Sequence, residues 1–447
     1  MYKNKLSKYR NKLKQIGAGK SSKVVPFTTH RGDEVTRSTV LSELAGPHDI
    51  GQGIMGFLGS RDARNARLVN IEMKEAMDLA GRGDTEHITG DLRLWRLANP
   101  NAIRANIHGR RDLRDADFVY LVGIKELDMS ECTGVTDVAF AHLRGVHTLD
   151  MSECSQEGVT DAAFVHLRGV HTLHMWWCRQ ASITDAAFVH LRGVHTLDMS
   201  GCKQASITDA ACAHLRGVHT LYMSGCNQAG VTDAAFSHLR GVHTLEMMYC
   251  RQITDTAFTH LRGIHKLNML GCNHTGVHTL TDAAFVHLRG VHTLNMSHCR
   301  QAGITDAAFA HLRGVHTLDM SYCYQAGVTD AAFAHLRGVH TLDMSYCRQV
   351  GVTDAAFSHL QGVHTLNMSQ CRQAGVTDAA FSHLRDIHTL NMESCNQEGV
   401  TGNTLCLLES LKILYIAGCN DVTKQKANEI FGVTPRDSIV KYFRPCT

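Results

Sequence analysis

An α/β solenoid is the fold class this sequence predicts, and three observations predict it. One unit returns from Ile124 to Cys419, usually with a step of 24 residues, as from Met151 to Met175. Inside each unit a short stretch alternates apolar and polar residues, the signature of a strand with one buried face. About ten residues later comes a stretch with helical start and stop signals.

The strand is exemplified by Thr148-Leu149-Asp150-Met151-Ser152. Leu149 and Met151 are expected on the buried face, with Thr148, Asp150 and Ser152 on the other. The helix is expected from Thr160 to Gly169. Thr160 is a capping residue, Asp161 an acid in the first turn, Phe164 and Leu167 are three apart, and Gly169 is a terminator. Asp161 and Arg168 each suit the helix end they occupy, worth roughly 0.3 to 1 kcal/mol apiece when exposed. The centres of the units run from Met129 to Met392, and Ile416 closes the series as a thirteenth. Two steps of 22 residues, to Met151 and Met269, and one of 27, to Met296, show that the loops absorb length changes.

A period in the twenties with Leu-x-Met cores is that of a leucine-rich repeat solenoid, with parallel strands on the concave side and helices on the convex. No unit can bury its apolar face alone, so stability accumulates between neighbours. Ala102 to Leu121 reads as an N-terminal capping unit and Val422 to Phe431 as a closing helix. Each centre is followed by a cysteine, from Met129 with Cys132 to Ile416 with Cys419, and most units continue with Ile or Val, Thr and Asp. In this the units resemble the cysteine-containing subtype of leucine-rich repeats, departing from it in the Met and in a shorter unit.

Composition narrows the function. Lys plus Arg number 45 and Asp plus Glu 42, a formal net charge of +3, and this balance argues against nucleic acid as the main partner. Thirteen of the 16 cysteines stand in one column, which only Cys212, Cys406 and Cys446 escape. The odd count, and an N-terminal stretch from Met1 to Lys23 with eight Lys or Arg and no apolar signal segment, predict reduced thiols. Without any Cys-x-x-Cys pair the column predicts a core ladder, with no metal and no cofactor. Of 30 histidines, 22 fall in two columns represented by His142 and His147, and neighbours roughly 5 Å apart would repel on protonation. Catalytic motifs are absent. Gly17-Ala18-Gly19-Lys20-Ser21 lacks the first glycine of a phosphate loop, whose place Lys14 takes, and Ser, His and Asp recur at fixed columns as a scaffold requires.

Ahead of the repeats, Pro47-His48-Asp49-Ile50 leads to Ile54-Met55-Gly56-Phe57-Leu58, then Arg61-Asp62, then Leu68-Val69. This segment resembles an F-box, departing from the family's pattern at Gly46, Gly51, Gly53 and Met73. An F-box before cysteine-containing repeats is the layout of substrate receptors in Skp-cullin-F-box ubiquitin ligases. The resemblance implies that Pro47, Asp49, Ile50, Ile54, Leu58, Leu68 and Val69 dock a Skp-family adaptor, that a cullin is reached through it, and that the solenoid holds a substrate protein. The rival reading is a scaffold or decoy solenoid that binds a protein without recruiting a ligase. The implied organisation is a basic, flexible segment (1–40), an F-box-like helical domain (41–80), a linker and capping repeat (81–121), the repeats (122–420) and a C-terminal cap and tail (421–447). A monomeric, non-catalytic chain of the cytoplasm or nucleus is expected, with no membrane partner.

Substrate choice is expected in columns that vary while the rest of the unit stays fixed. Large or charged residues interrupt them at Trp176, Trp177, Tyr222, Glu246, Tyr249, His298, Arg300, Tyr322, Tyr346 and Arg348. Rigid aromatic side chains and arginine are the usual interface anchors.

Overall fold

In the computed structural model, residues 87–272 and 280–432 are described, together with the backbone of three short strands outside them. Two of these, Phe27–Thr28 and Glu34–Val35, pair antiparallel. The F-box-like segment and the residues assigned to adaptor docking lie outside the described residues. The chain divides into two compact units, Met1–Ser182 and Ile183–Thr447.

The first unit carries the parallel strands Arg104–Asn106, Glu126–Asp128, Thr148–Asp150 and Thr172–His174, with Leu127, Leu149 and Leu173 in register. In the second unit the parallel series runs from Thr196–Asp198 to Ile413–Tyr415, and Ile439–Lys441 adds an antiparallel edge. In each of these parallel strands the central residue is buried and its neighbours half exposed. The architecture is a leucine-rich repeat solenoid within each unit. The capping segment supplies the strand Arg104–Asn106 and a 3-10 helix, Asp115–Leu121. The closing helix spans Asp421–Phe431.

Both elements of the repeat are shorter than the sequence predicts. The strand Thr148–Asp150 stops before Met151 because the Asp150 carboxylate accepts the backbone N–H of Ser152 at 2.9 Å and turns the chain. Ser152, expected on the open face, is therefore 1% exposed. On the convex side, Thr160 caps a single α-turn, Asp161–Phe164, which passes into a 3-10 turn, Val165–Leu167. Arg168 is already extended, and Gly169 at φ +82° sends the chain towards the next strand. A unit this short leaves no room for a second α-turn.

Ala163, Phe164 and Leu167 go inward to join Leu149, Met151 and Cys154 in the core. Burying such a Phe or Leu is worth about 1.5–3 kcal/mol. Polar ladders fasten the stack as well. The Asp at each helix start does more than face the helix dipole: Asp137 accepts both the N–H and the hydroxyl of Thr160, one unit on, each at 2.7 Å. The thiol of Cys154 donates to the carbonyl of Met129 at 3.2 Å, and the Gln228 amide donates to the carbonyl of Cys202 at 2.8 Å. Burial pushes the thiols of Cys250, Cys299 and Cys347 up to about 12. They are small core donors. Among the described residues no disulfide is formed, and no three His, Cys, Asp or Glu side chains are grouped to hold a metal ion.

Candidate binding surface

The residue just before each repeat-column cysteine sits on a left-handed backbone. In the first unit Glu131, Glu153 and Trp177 have φ of 56–58°, and in the second Tyr249, His298, Tyr322, Tyr346, Gln370 and Ser394 have φ of 55–59°. Gly201, Gly225, Gly271 and Gly418 fill the same column at φ 63–71°. The cause is a tight turn in which the cysteine N–H reaches back to the methionine carbonyl, as from Cys347 to Met344 at 3.1 Å. Glycine enters such a conformation without strain, whereas an L side chain costs roughly 1–2 kcal/mol there. Five aromatic rings thus stand where the turn itself favours glycine.

In the second unit three of these rings stack. His298 and Tyr322 have centroids 4.2 Å apart with planes 13° from parallel, and Tyr322 and Tyr346 repeat the relationship at 4.2 Å and 11°. Arg300 packs its guanidinium 4.6 Å over the Tyr324 ring and donates to the Tyr322 carbonyl at 3.3 Å. Partial burial, then Arg300, holds the His298 imidazole below its ordinary pKa. Burial and a hydrogen bond with Tyr346 raise Tyr322. In the first unit the Trp176 and Trp177 rings meet edge to face at 6.0 Å, Arg179 lies 4.3 Å over Trp177, and the two tryptophans are 38% and 49% exposed.

In the column between Leu and Met most side chains serve a turn. Its Asp and Asn side chains accept the N–H two residues on, as Asp198 does from Ser200 and Asn295 from Ser297, both at 2.9 Å. The prevalence of Asp and Asn there is a turn requirement. The informative members are those that abandon it, His174, Tyr222, Glu246 and Tyr415. Tyr222 and Glu246 are in register on adjacent strands, and Glu246 pairs at 3.0 Å with Lys266, which replaces the usual Thr.

The candidate residues therefore fall into separate groups. His298, Arg300, Tyr322 and Tyr346 come together, and Arg348 is exposed in the same column as Arg300. Tyr249 lies apart from that stack, its ring over Gly271. Tyr222 with Glu246 occupies the neighbouring column, and Trp176 with Trp177 belongs to the first unit. Sequence reasoning missed Tyr324 as the platform for Arg300, and it missed the left-handed column. Glycine at 201, 225, 271 and 418 was the available signal for the latter.

The histidine columns have distinct surroundings. In the second unit the rings from His195 through His388 stack one on the next at 3.9–4.6 Å, and His316 Nδ1 lies 3.3 Å from the Thr317 hydroxyl. In the other column the imidazole accepts from arginine, as His287 Nδ1 does from Arg262 Nε at 3.3 Å. Among the described residues no helix is long and apolar enough to cross a membrane.

No protein-family model matches the chain, and no curated protein does. Solved structures are similar. One chain of the Toll–Spatzle complex of Drosophila matches with a TM-score of 0.57 at 14% identity, over 71% of this chain and 43% of that one. In the TLR13–ssRNA13 complex the TM-score is 0.52 at 14% identity, covering 72% of this chain and 53% of that chain. A leucine-rich repeat protein of Leptospira interrogans gives 0.58 at 11% identity, over 75% and 89%. This chain spans about half the length of the first two. These likenesses show the leucine-rich repeat fold.

Proposed function

We propose that the chain is the substrate-recognition subunit of a Skp-cullin-F-box type ubiquitin ligase. Its F-box-like segment (41–80) docks a Skp-family adaptor, and its strand-end columns hold a substrate protein. The repeats do no chemistry; they raise the local concentration of substrate beside the ubiquitin-loaded partner. The observation that carries the binding half is the left-handed column. Trp177, Tyr249, Tyr322 and Tyr346 keep exposed or half-exposed rings at positive φ where glycine serves other units at lower cost. Backbone strain retained at a surface is a mark of function. The adaptor half rests on the spacing of Pro47, Asp49, Ile50, Ile54, Leu58, Leu68 and Val69 in the sequence.

The test is affinity purification of the full chain from a eukaryotic lysate, read by mass spectrometry. Skp and cullin subunits are expected with wild type and absent with Ile50→Asp plus Leu58→Asp, while substrate recovery persists. Recovery of a protein partner without any Skp or cullin, from wild type as from the double variant, would replace the ligase reading with that of a pure binding scaffold.

A further inference from the structure

Three residues before each of the two stacked tyrosines stands an aspartate whose charge the fold does not need. Asp319 and Asp343 stand directly opposite each other on adjacent parallel strands. Strand spacing puts such residues roughly 5 Å apart, and like charges in register destabilise a sheet. Each carboxylate serves its own turn, accepting the N–H of Ser321 or Ser345 at 2.9 Å. An asparagine performs that duty without charge, and does so at Asn295, Asn367 and Asn391.

Among the described residues no ion pair neutralises the two charges. Asp343 receives the Asn367 amide at 2.8 Å, a neutral donor. The titratable group facing Asp319 is His298, kept below its ordinary pKa, while the Arg300 guanidinium lies over Tyr324. Burial, with a contribution from Asp343, holds the Asp319 carboxyl above its usual range. Asp319 and Asp343 form an acidic pair beside His298, the first ring of the stack. Among the described residues no three His, Cys, Asp or Glu side chains are grouped there to hold a metal ion.

On the reading of these columns as a protein-binding surface, we propose that Asp319 and Asp343 seat a basic side chain of the partner, an arginine or lysine, against the edge of the His298–Tyr322–Tyr346 stack. A guanidinium can donate to both carboxylates at once, and its aliphatic stem packs along tyrosine edges. The site selects a partner by charge as well as by shape.

The experiment measures fluorescence anisotropy of the full chain with a labelled peptide of alternating Arg and Gly, beside a Glu and Gly counterpart and an oligoadenylate RNA. Asp319→Asn with Asp343→Asn keeps both turns, as asparagine does in neighbouring units. This pair should weaken the Arg peptide at least about tenfold. Tyr322→Gly with Tyr346→Gly should weaken it as well, because the stacked rings are gone while the left-handed turn is relaxed. Glu398→Gln with Glu409→Gln removes the same charge from exposed positions off the strip and should leave binding within about twofold. Equal loss from that control pair, undiminished binding by the asparagine pair, or tighter binding of the Glu peptide or the RNA would overturn the proposal. The two readings also fail separately. A protein partner whose capture is lost on Tyr322→Gly with Tyr346→Gly but kept by the asparagine pair would refute the basic seat and leave the binding surface standing.

Discussion

The ring of Tyr249 lies over Gly271, so close that a Cβ at position 271 would fall 2.6 Å from Cε1 and 2.7 Å from Cδ1 of the tyrosine. Gly271 is also left-handed, at φ +63°. One glycine therefore serves two needs, the turn of its own unit and the resting place of its neighbour's ring. Gly271→Ala should displace the Tyr249 ring and destabilise the chain by about 1 kcal/mol through the backbone alone. Urea unfolding reads the stability, and tyrosine fluorescence of the variant beside Tyr249→Ala reads the ring. An unchanged stability and spectrum would refute the contact.

The Asp–Thr ladder should be worth more than a helix-dipole contact. Asp330 accepts the N–H and the hydroxyl of Thr353, both at 2.7 Å. Hydrogen bonds to a charged acceptor contribute about 1.5–3 kcal/mol each, so Asp330→Ala should cost at least about 2 kcal/mol. Asp330→Asn retains one acceptor and should cost less. Chemical denaturation of both variants checks the order, and equal losses would deny the two-bond arrangement.

Cys212 stands where most neighbouring units bury phenylalanine, such as Phe188 and Phe236. The smaller thiol removes most of the apolar area of that ring from the core. Cys212→Phe should raise stability by about 1–2 kcal/mol, provided the surrounding units have kept the space. A fall in the thermal midpoint would mean that the layer has closed around the cysteine and that phenylalanine overpacks it.

Acid should weaken the fold through the stacked histidines. Burial, then neighbouring imidazoles, lowers the pKa of His219, His265, His316 and His364 below the ordinary 6.5. For His287 burial and the donating Arg262 act in the same direction. The unfolded chain then binds protons that the folded chain refuses. Stability from these groups is complete above about pH 6.5, where both states are neutral, and is lost as pH falls through the lowered folded values. The urea midpoint should drop between about pH 7.5 and 5.5, and His316→Gln with His364→Gln should flatten that slope. A midpoint that rises on acidification would reverse the assigned sign.

Much of this molecule was legible in the chain alone, and the reason is range. The Thr148–Asp150 alternation, the Thr160 cap and the Gly169 stop act over a few residues, so strand, turn and helix could be read in order. The period then dictated that Leu149, Met151, Phe164 and Cys154 face inward, because a unit alone cannot cover them. What the tertiary structure decided is which side chains meet across a unit boundary. Thr160 finds Asp137, Arg262 finds His287, and Tyr322 finds Tyr346, each pair more than twenty positions apart in sequence. The same boundary revealed that Asp and Asn in the open column hold a turn, while the rings before the cysteines stand on strained backbone. Backbone conformation and cross-strand register arise only when neighbouring units stack, and the adjoining Asp319 and Asp343 became visible as a charge pair for the same reason.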